Sequence, residues 1–154
     1  MNKIGNVYSD QYIDQLINEQ KVTSPVLLVW QLAIQPKFKL SHKEYNIDVD
    51  GVNGSKFRII FRQNVHNLLD FSVIIGHCSL NMDKIFRLRR YNGNSHEHTN
   101  SLEGNSFRAF HIHKATERYQ FAGNAEDTYA EPTDRFCDFR SAFKCLLNDC
   151  NFVP

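Results

Sequence analysis

The chain has 154 residues and a mass of 18.0 kDa, with 18 Lys+Arg against 17 Asp+Glu, seven His and a formal charge of +1. Hydrophobic residues at 42% and charged residues at 23% are ordinary for a globular domain, which excludes a disordered or low-complexity scaffold. The length suits one domain spanning 1–154, able to bury roughly two thirds of its unfolded surface without disulfides or a structural metal.

The N-terminal residues Met1-Asn2-Lys3-Ile4-Gly5-Asn6 lack the apolar core of a secretory signal, so the expected location is the cytoplasm. Ser9 is placed to cap a helix running to about Lys21, in which Tyr12 and Leu16, and Ile13 and Ile17, stack four apart. After Ser24-Pro25 comes the apolar run Val26–Ile34, interrupted by Gln31 and closed by Pro36; it fits a buried strand or a buried turn of helix. It falls far short of the roughly 20 residues that span a bilayer, so no membrane partner is expected.

From Tyr45 the pattern changes to period two. Tyr45, Ile47 and Val49 alternate with polar residues, Asp50-Gly51 and Gly54 mark a turn, and Phe57, Ile59 and Phe61 resume the alternation, which reads as a β-hairpin. Further strands are expected at Phe71–Gly76, Lys84–Tyr91 and Phe107–Ala115. Thr133 then stands as the cap of a helix whose Phe136, Phe139, Phe143, Leu146, Leu147 and Cys150 share one face. Cys137, Cys145 and Cys150 fall in this same pattern, and with Cys78 they read as free thiols in a reducing compartment. The expected fold is α+β: an antiparallel sheet of about five strands with an N-terminal and a C-terminal helix packed on one face.

Alternation also predicts which side chains share the face opposite the core. Burying Phe86 and Leu88 turns Arg87, Arg89 and Tyr91 outward; burying Phe110 and Ile112 turns out His111 and His113; burying Phe57, Ile59 and Phe61 turns out Arg58, Ile60 and Arg62. Charge follows the same division. Residues 56–118 hold ten Lys/Arg and five Asp/Glu, a net of +5, so the rest of the chain carries −4. A basic middle of this kind attracts polyanions, and arginine suits bidentate contact with phosphate. The following segment, Ala122 to Pro132, is acidic and turn-rich, and reads as a loop into the last helix or a flap across the basic face.

Four of the seven His lie in Ser95-His96-Glu97-His98-Thr99-Asn100 and Phe110-His111-Ile112-His113-Lys114. Two chemistries fit. In one, histidines exchange protons with a ribose hydroxyl and a leaving oxygen while arginine and lysine stabilise charge on phosphorus, since imidazole titrates near neutrality. In the other, the imidazoles of His96, His98, His111 and His113 bind zinc or another transition metal, because a His-x-His pair on a strand projects two nitrogens from one face. Nitrogens converging within about 4 Å fit the metal; a spacing that leaves room for a phosphate fits acid-base work. Asn100 is placed either to turn the chain or to orient a ligand.

Arg89, Tyr91-Asn92-Gly93, His98-Thr99-Asn100, Gly104 and His111-Ile112-His113 together resemble a pattern in an uncharacterised group of small bacterial proteins. The resemblance spans about 25 residues and implies positions rather than a reaction. His96-Glu97-His98 with Glu103 resembles the first metal motif of cupins, without the glycine spacing after the glutamate or a separate downstream histidine motif. In size and layout the chain is similar to small bacterial toxin ribonucleases, an analogy at the level of fold.

The leading expectation is therefore a nucleic-acid-directed protein, most concretely a toxin-like, metal-independent endoribonuclease needing no cofactor. His98, His111, His113 and Tyr91 are its catalytic candidates; Arg87, Arg89, Arg118 and Lys114 hold phosphate; Tyr91 or Tyr119 stacks on a base. RNA or another nucleic acid is the expected partner, with an antitoxin or inhibited target as a protein partner. The alternatives are a transition-metal protein or metal-dependent enzyme built on the four histidines, and a non-catalytic phage- or plasmid-encoded inhibitor.

Overall fold

A computed structural model describes residues 3–4, 7–22, 37–39, 41–80 and 84–153, so the apolar run at 26–34 lies outside the described residues. In chain order the elements are β1 (Lys3–Ile4), β2 (Val7–Tyr8), α1 (Asp10–Asn18), β3 (Lys21–Val22), β4 (Lys37–Lys39), β5 (His42–Asp50), β6 (Lys56–Asn64), β7 (Phe71–Cys78) and β8 (Ile85–Asn92). There follow β9 (His98–Asn100), β10 (Asn105–Phe107), β11 (His111–Lys114), α2 (Glu117–Phe121), β12 (Ala130–Pro132), α3 (Phe139–Asp149) and β13 (Phe152–Val153). The fold is mixed α+β. Its centre is a seven-stranded sheet in the order β12-β11-β8-β7-β6-β5-β4, every neighbouring pair antiparallel, against the five or so strands expected.

The hairpin read from residues 45–61 is β5 and β6, paired from His42↔Asn64 to Asp50↔Lys56. Its turn is clamped by the buried carboxylate of Glu19, which accepts from the Asn53 and Ser55 amides and the Ser55 hydroxyl at 3.0, 3.3 and 2.6 Å. Glycine at position 51 leaves room for that approach, because a Cβ there would lie 1.9 Å from the Glu19 carboxylate. Alternate residues of the sheet, Val49, Phe57, Ile59, Phe61, Val73 and Ile75, join one core cluster with Ile13, Leu16 and Ile17 of α1 and with Phe139, Phe143 and Leu146 of α3.

Ser9 caps α1 as expected, its hydroxyl accepting from the Tyr12 amide at 3.1 Å. The helix ends at Asn18 rather than near Lys21, because Lys21 pairs with Phe152 in a short parallel ladder. The completely buried Lys21 ammonium shares its three protons among the carbonyls of Leu16, Ile17, Glu19 and Cys150, at 2.8–3.0 Å. One side chain thus satisfies carbonyls at the C-terminal ends of α1 and α3, which a helix leaves without intrahelical donors.

Three further sequence expectations are corrected. The last helix is capped by Asp138, in a reciprocal capping box with Ser141, and not by Thr133, whose hydroxyl instead accepts from the Arg135 amide at 3.2 Å. Phe136 reaches the core from the segment before that helix. The strand read over residues 107–115 divides: β10 pairs with β9, and only β11 enters the large sheet. All four cysteines are free thiols. Among the described residues no helix is long and apolar enough to cross a membrane.

The third correction bears on the site. Ile75 pairs with Arg89 but Gly76 pairs with Arg87, so Leu88 is an extra residue in β8. A side chain at Gly76 would meet Ile85 at 1.9 Å, which is why glycine stands beside this bulge. The extra residue shifts the alternation by one. Arg87, Arg90 and Asn92 point away from the core face, whereas Arg89 and Tyr91 lie on it, opposite Ile75 and Val73.

Candidate metal centre

The register of β8 and β11 sets His111 opposite Asn92 and His113 opposite Arg90, all on the sheet face away from the core cluster. The His-x-His spacing therefore does what a strand requires, with Ile112 turned into the core between the two imidazoles. His98 arrives from the β9–β10 hairpin, and its ring centroid lies 5.5 Å from that of His111 and 4.8 Å from that of His113. Each ring offers a nitrogen, and the three lie within 4.8 Å of one another. His111 and His113 are buried and His98 half-buried, with the Phe107 ring 5.5 Å from His98 and 5.6 Å from His111.

Every imidazole has one nitrogen held by a protein oxygen. His111 Nδ1 donates to the Ala109 carbonyl at 2.7 Å, and His113 Nδ1 to the Asp127 carbonyl at 2.8 Å. His98 Nε2 lies 2.8 Å from Asn100 Oδ1. The buried Asn100 amide is oriented by the backbone of β12: its Nδ2 donates to the Ala130 carbonyl at 2.8 Å and its Oδ1 accepts from the Ala130 amide at 2.9 Å. His98 must then donate from Nε2, which leaves the Nδ1 lone pair; His111 and His113 keep the lone pair on Nε2. Asn100 thus orients a histidine rather than merely turning the chain.

Burial holds His111 and His113 neutral. It pushes His113 down to about 2, helped by the Arg90 charge and the neighbouring imidazoles, and it lowers His111 in the same direction. Arg90 Nη2 stands 3.5 Å from His113 Nδ1, and its Nε is 3.1 Å from Asp127 Oδ2. Asp127 is completely buried and also lies 3.4 Å from Arg87, yet neither carboxylate oxygen receives a hydrogen bond. Burial raises its pKa against the opposing pull of Arg90 and Arg87. Glu126, its neighbour, accepts from the Arg87 amide at 2.9 Å, so the acidic segment does lie across the basic face as well as leading into β12.

A cavity of about 320 Å³ opens in front of the three rings. Arg90, Asn92 and Ser72 line it from the sheet, and Asp70, His96 and Glu97 line it elsewhere. His96 does not join the trio. It is largely exposed, with Nε2 3.9 Å from Asp70 Oδ2, and Asp70 is also 3.5 Å from His42.

The remaining sequence candidates lie elsewhere. Tyr91 is fully buried in the core, its hydroxyl donating to Asp149 at 2.7 Å, and Arg89 lies 3.7 Å from the same carboxylate. Lys114 pairs with Glu131 at 2.8 Å. Arg118 pairs with Glu103 at 2.5 Å and covers the Tyr129 ring at 4.7 Å, and the Tyr119 hydroxyl also bonds Glu103. Arg87 is on the predicted face, engaged by Glu126 and Asp127. Arg90, Asn92 and Asp127 were not among the sequence candidates. A signal for Arg90 was present, since Leu88 and Tyr91, both apolar, are three apart, a spacing that regular alternation does not produce. No protein-family model, curated protein or solved structure matches this chain.

Proposed function

We propose that this is a transition-metal-binding protein whose centre is formed by His98, His111 and His113, with a coordination position left to an exogenous ligand, as in metal-dependent enzymes. One observation carries the reading: three imidazoles converge, and each has one nitrogen held by a protein oxygen. That is how proteins fix the tautomer of metal-bound histidine. Three histidines and an open position suit Zn²⁺, and imidazole donors also suit copper, iron and nickel. Zn–N bonds of about 2.0–2.1 Å space tetrahedral ligands by roughly 3.4 Å, so the three nitrogens, which lie within 4.8 Å of one another and are wider than the spacing of about 4 Å expected for a metal, would close by up to about 1.4 Å on binding. A metal held there would lower the pKa of a bound water to about 7.

The ribonuclease reading is less well supported by the same geometry. A general acid must carry a proton near working pH, and burial opposes that for His111 and His113. Tyr91 and Arg89, which that reading employed, lie on the core face.

Titration of chelator-treated protein, prepared without a polyhistidine tag, tests the proposal. One equivalent of Zn²⁺ or Co²⁺ should bind, and metal at a hundredfold excess over its Kd should stabilise the fold by about 2.7 kcal/mol, roughly 5–10 °C in Tm. Asn100→Ala, which frees the His98 ring to rotate, should weaken binding by about 10- to 100-fold. Absence of stoichiometric uptake of any first-row transition metal, together with cleavage of RNA in a chelator, would restore the ribonuclease reading.

A further inference from the structure

Strand β8, paired with the strand that carries His111 and His113, adds to the cavity lining in a definite pattern. Because Asn92 is opposite His111 and Arg90 opposite His113, the sheet presents two lone-pair donors and two hydrogen-bond donors side by side. Asn92 Oδ1 takes the Ser72 hydroxyl at 2.8 Å, and among the described residues no acceptor engages its Nδ2. Arg90 Nε lies 3.1 Å from Asp127 Oδ2, its Nη2 stands 3.5 Å from the His113 Nδ1 that donates to the Asp127 carbonyl, and no acceptor among the described residues engages Nη1. Both residues line the cavity. Of the carboxylates that also line the cavity, Asp70 lies 3.5 Å from His42 and 3.9 Å from His96, and Glu97 is exposed. A histidine trio holding a divalent cation would stand beside a guanidinium and an amide N–H. Such a surface is complementary to a ligand with two oxygens sharing negative charge.

Resting on the metal reading, we propose that the exogenous ligand is a small oxyanion, a carboxylate or phosphate, with one oxygen on the metal and a second hydrogen-bonded by Arg90 and Asn92. The site thereby selects anionic small molecules. A volume of about 320 Å³ is at the lower end of the range for small-molecule pockets. The guanidinium supplies charge and direction, and the Asn92 amide supplies the donor on the next position of the same strand face. Asp127 holds Arg90 from behind, so its orientation does not depend on the ligand.

The experiment uses Co²⁺-loaded protein, whose visible spectrum reports changes in coordination, titrated separately with inorganic phosphate and with acetate. Saturable spectral change with either anion is expected, and the anion that produces it decides between a phosphate and a carboxylate ligand. Asn92→Ala and Arg90→Lys should retain one equivalent of Co²⁺ while weakening the anion at least about fivefold and tenfold. Arg90→Lys preserves a charge beside Asp127, and Asn92→Ala leaves that pair untouched, so loss of folding does not confound both. If Co²⁺ binds and neither anion alters its spectrum, or both variants bind anion as the parent does, the oxyanion inference fails and the metal centre stands. If Co²⁺ does not bind, the metal centre itself fails.

Discussion

Metal-free protein taken from about pH 7.5 to about pH 5 is expected to lose about 2 kcal/mol of folding stability through His113 alone. In the unfolded chain this imidazole takes up its proton near the ordinary value of 6.5, whereas in the fold burial delays protonation to about 2. Between those values the unfolded chain binds more protons, so stability rises with pH and falls by about 1.4 kcal/mol per unit of acidification below about 6.5. His111 is shifted in the same direction and steepens the fall. Urea unfolding across this range is the measurement, with His113→Asn expected to flatten the profile because asparagine keeps a donor for the Asp127 carbonyl without titrating. Parallel profiles for parent and variant would contradict the burial argument. Bound metal should protect the protein toward neutrality and be released in acid, since protons compete for the same lone pairs.

The second large effect concerns Lys21→Met, expected to cost about 3–5 kcal/mol. Burial pushes this amine down to about 8, so at neutral pH it is still mainly an ammonium with three protons to donate. The substitution leaves carbonyls at the ends of α1 and α3 without a donor, and the Glu19 carboxylate without a nearby cation. The Lys21 ammonium also sits 4.5 Å from the Phe57 ring centroid, a contact that methionine keeps only as apolar packing. Chemical unfolding measures the loss, and amide exchange should show α1 and the β3–β13 pairing opening before the large sheet. A change below about 0.5 kcal/mol would show that solvent replaces the lysine at those carbonyls.

The strand pattern was legible because the hairpin of β5 and β6 is a regular ladder, and regular alternation is all that a period-two reading assumes. His111 and His113 could be placed for the same reason, each being read against Ile112 on its own strand. Arg89 and Tyr91 could not. Their orientation depends on the extra residue Leu88, whose accommodation involves Gly76 on the neighbouring strand. The Thr133 reading failed because apolar periodicity includes Phe136, which packs from an extended approach to the helix, while Asp138 and Ser141 satisfy the amides where the helix begins.

A basic middle and a concentration of histidines are properties of the sequence by itself, since they require only counting by position and the alternation of side chains along a strand. Which histidines act together is a tertiary matter. His98 joins His111 and His113 because Asn100 hooks its hairpin onto the backbone of β12, whereas His96, two residues earlier, is left largely exposed beside Asp70. The cation beside them is likewise Arg90 rather than Arg89, because one bulge rotates β8 by a single position. The Asp127 carbonyl that aims His113, the Ala130 backbone that fixes Asn100 and the burial that keeps His111 and His113 neutral all come from segments distant in sequence. Periodicity along the chain carries no record of those contacts.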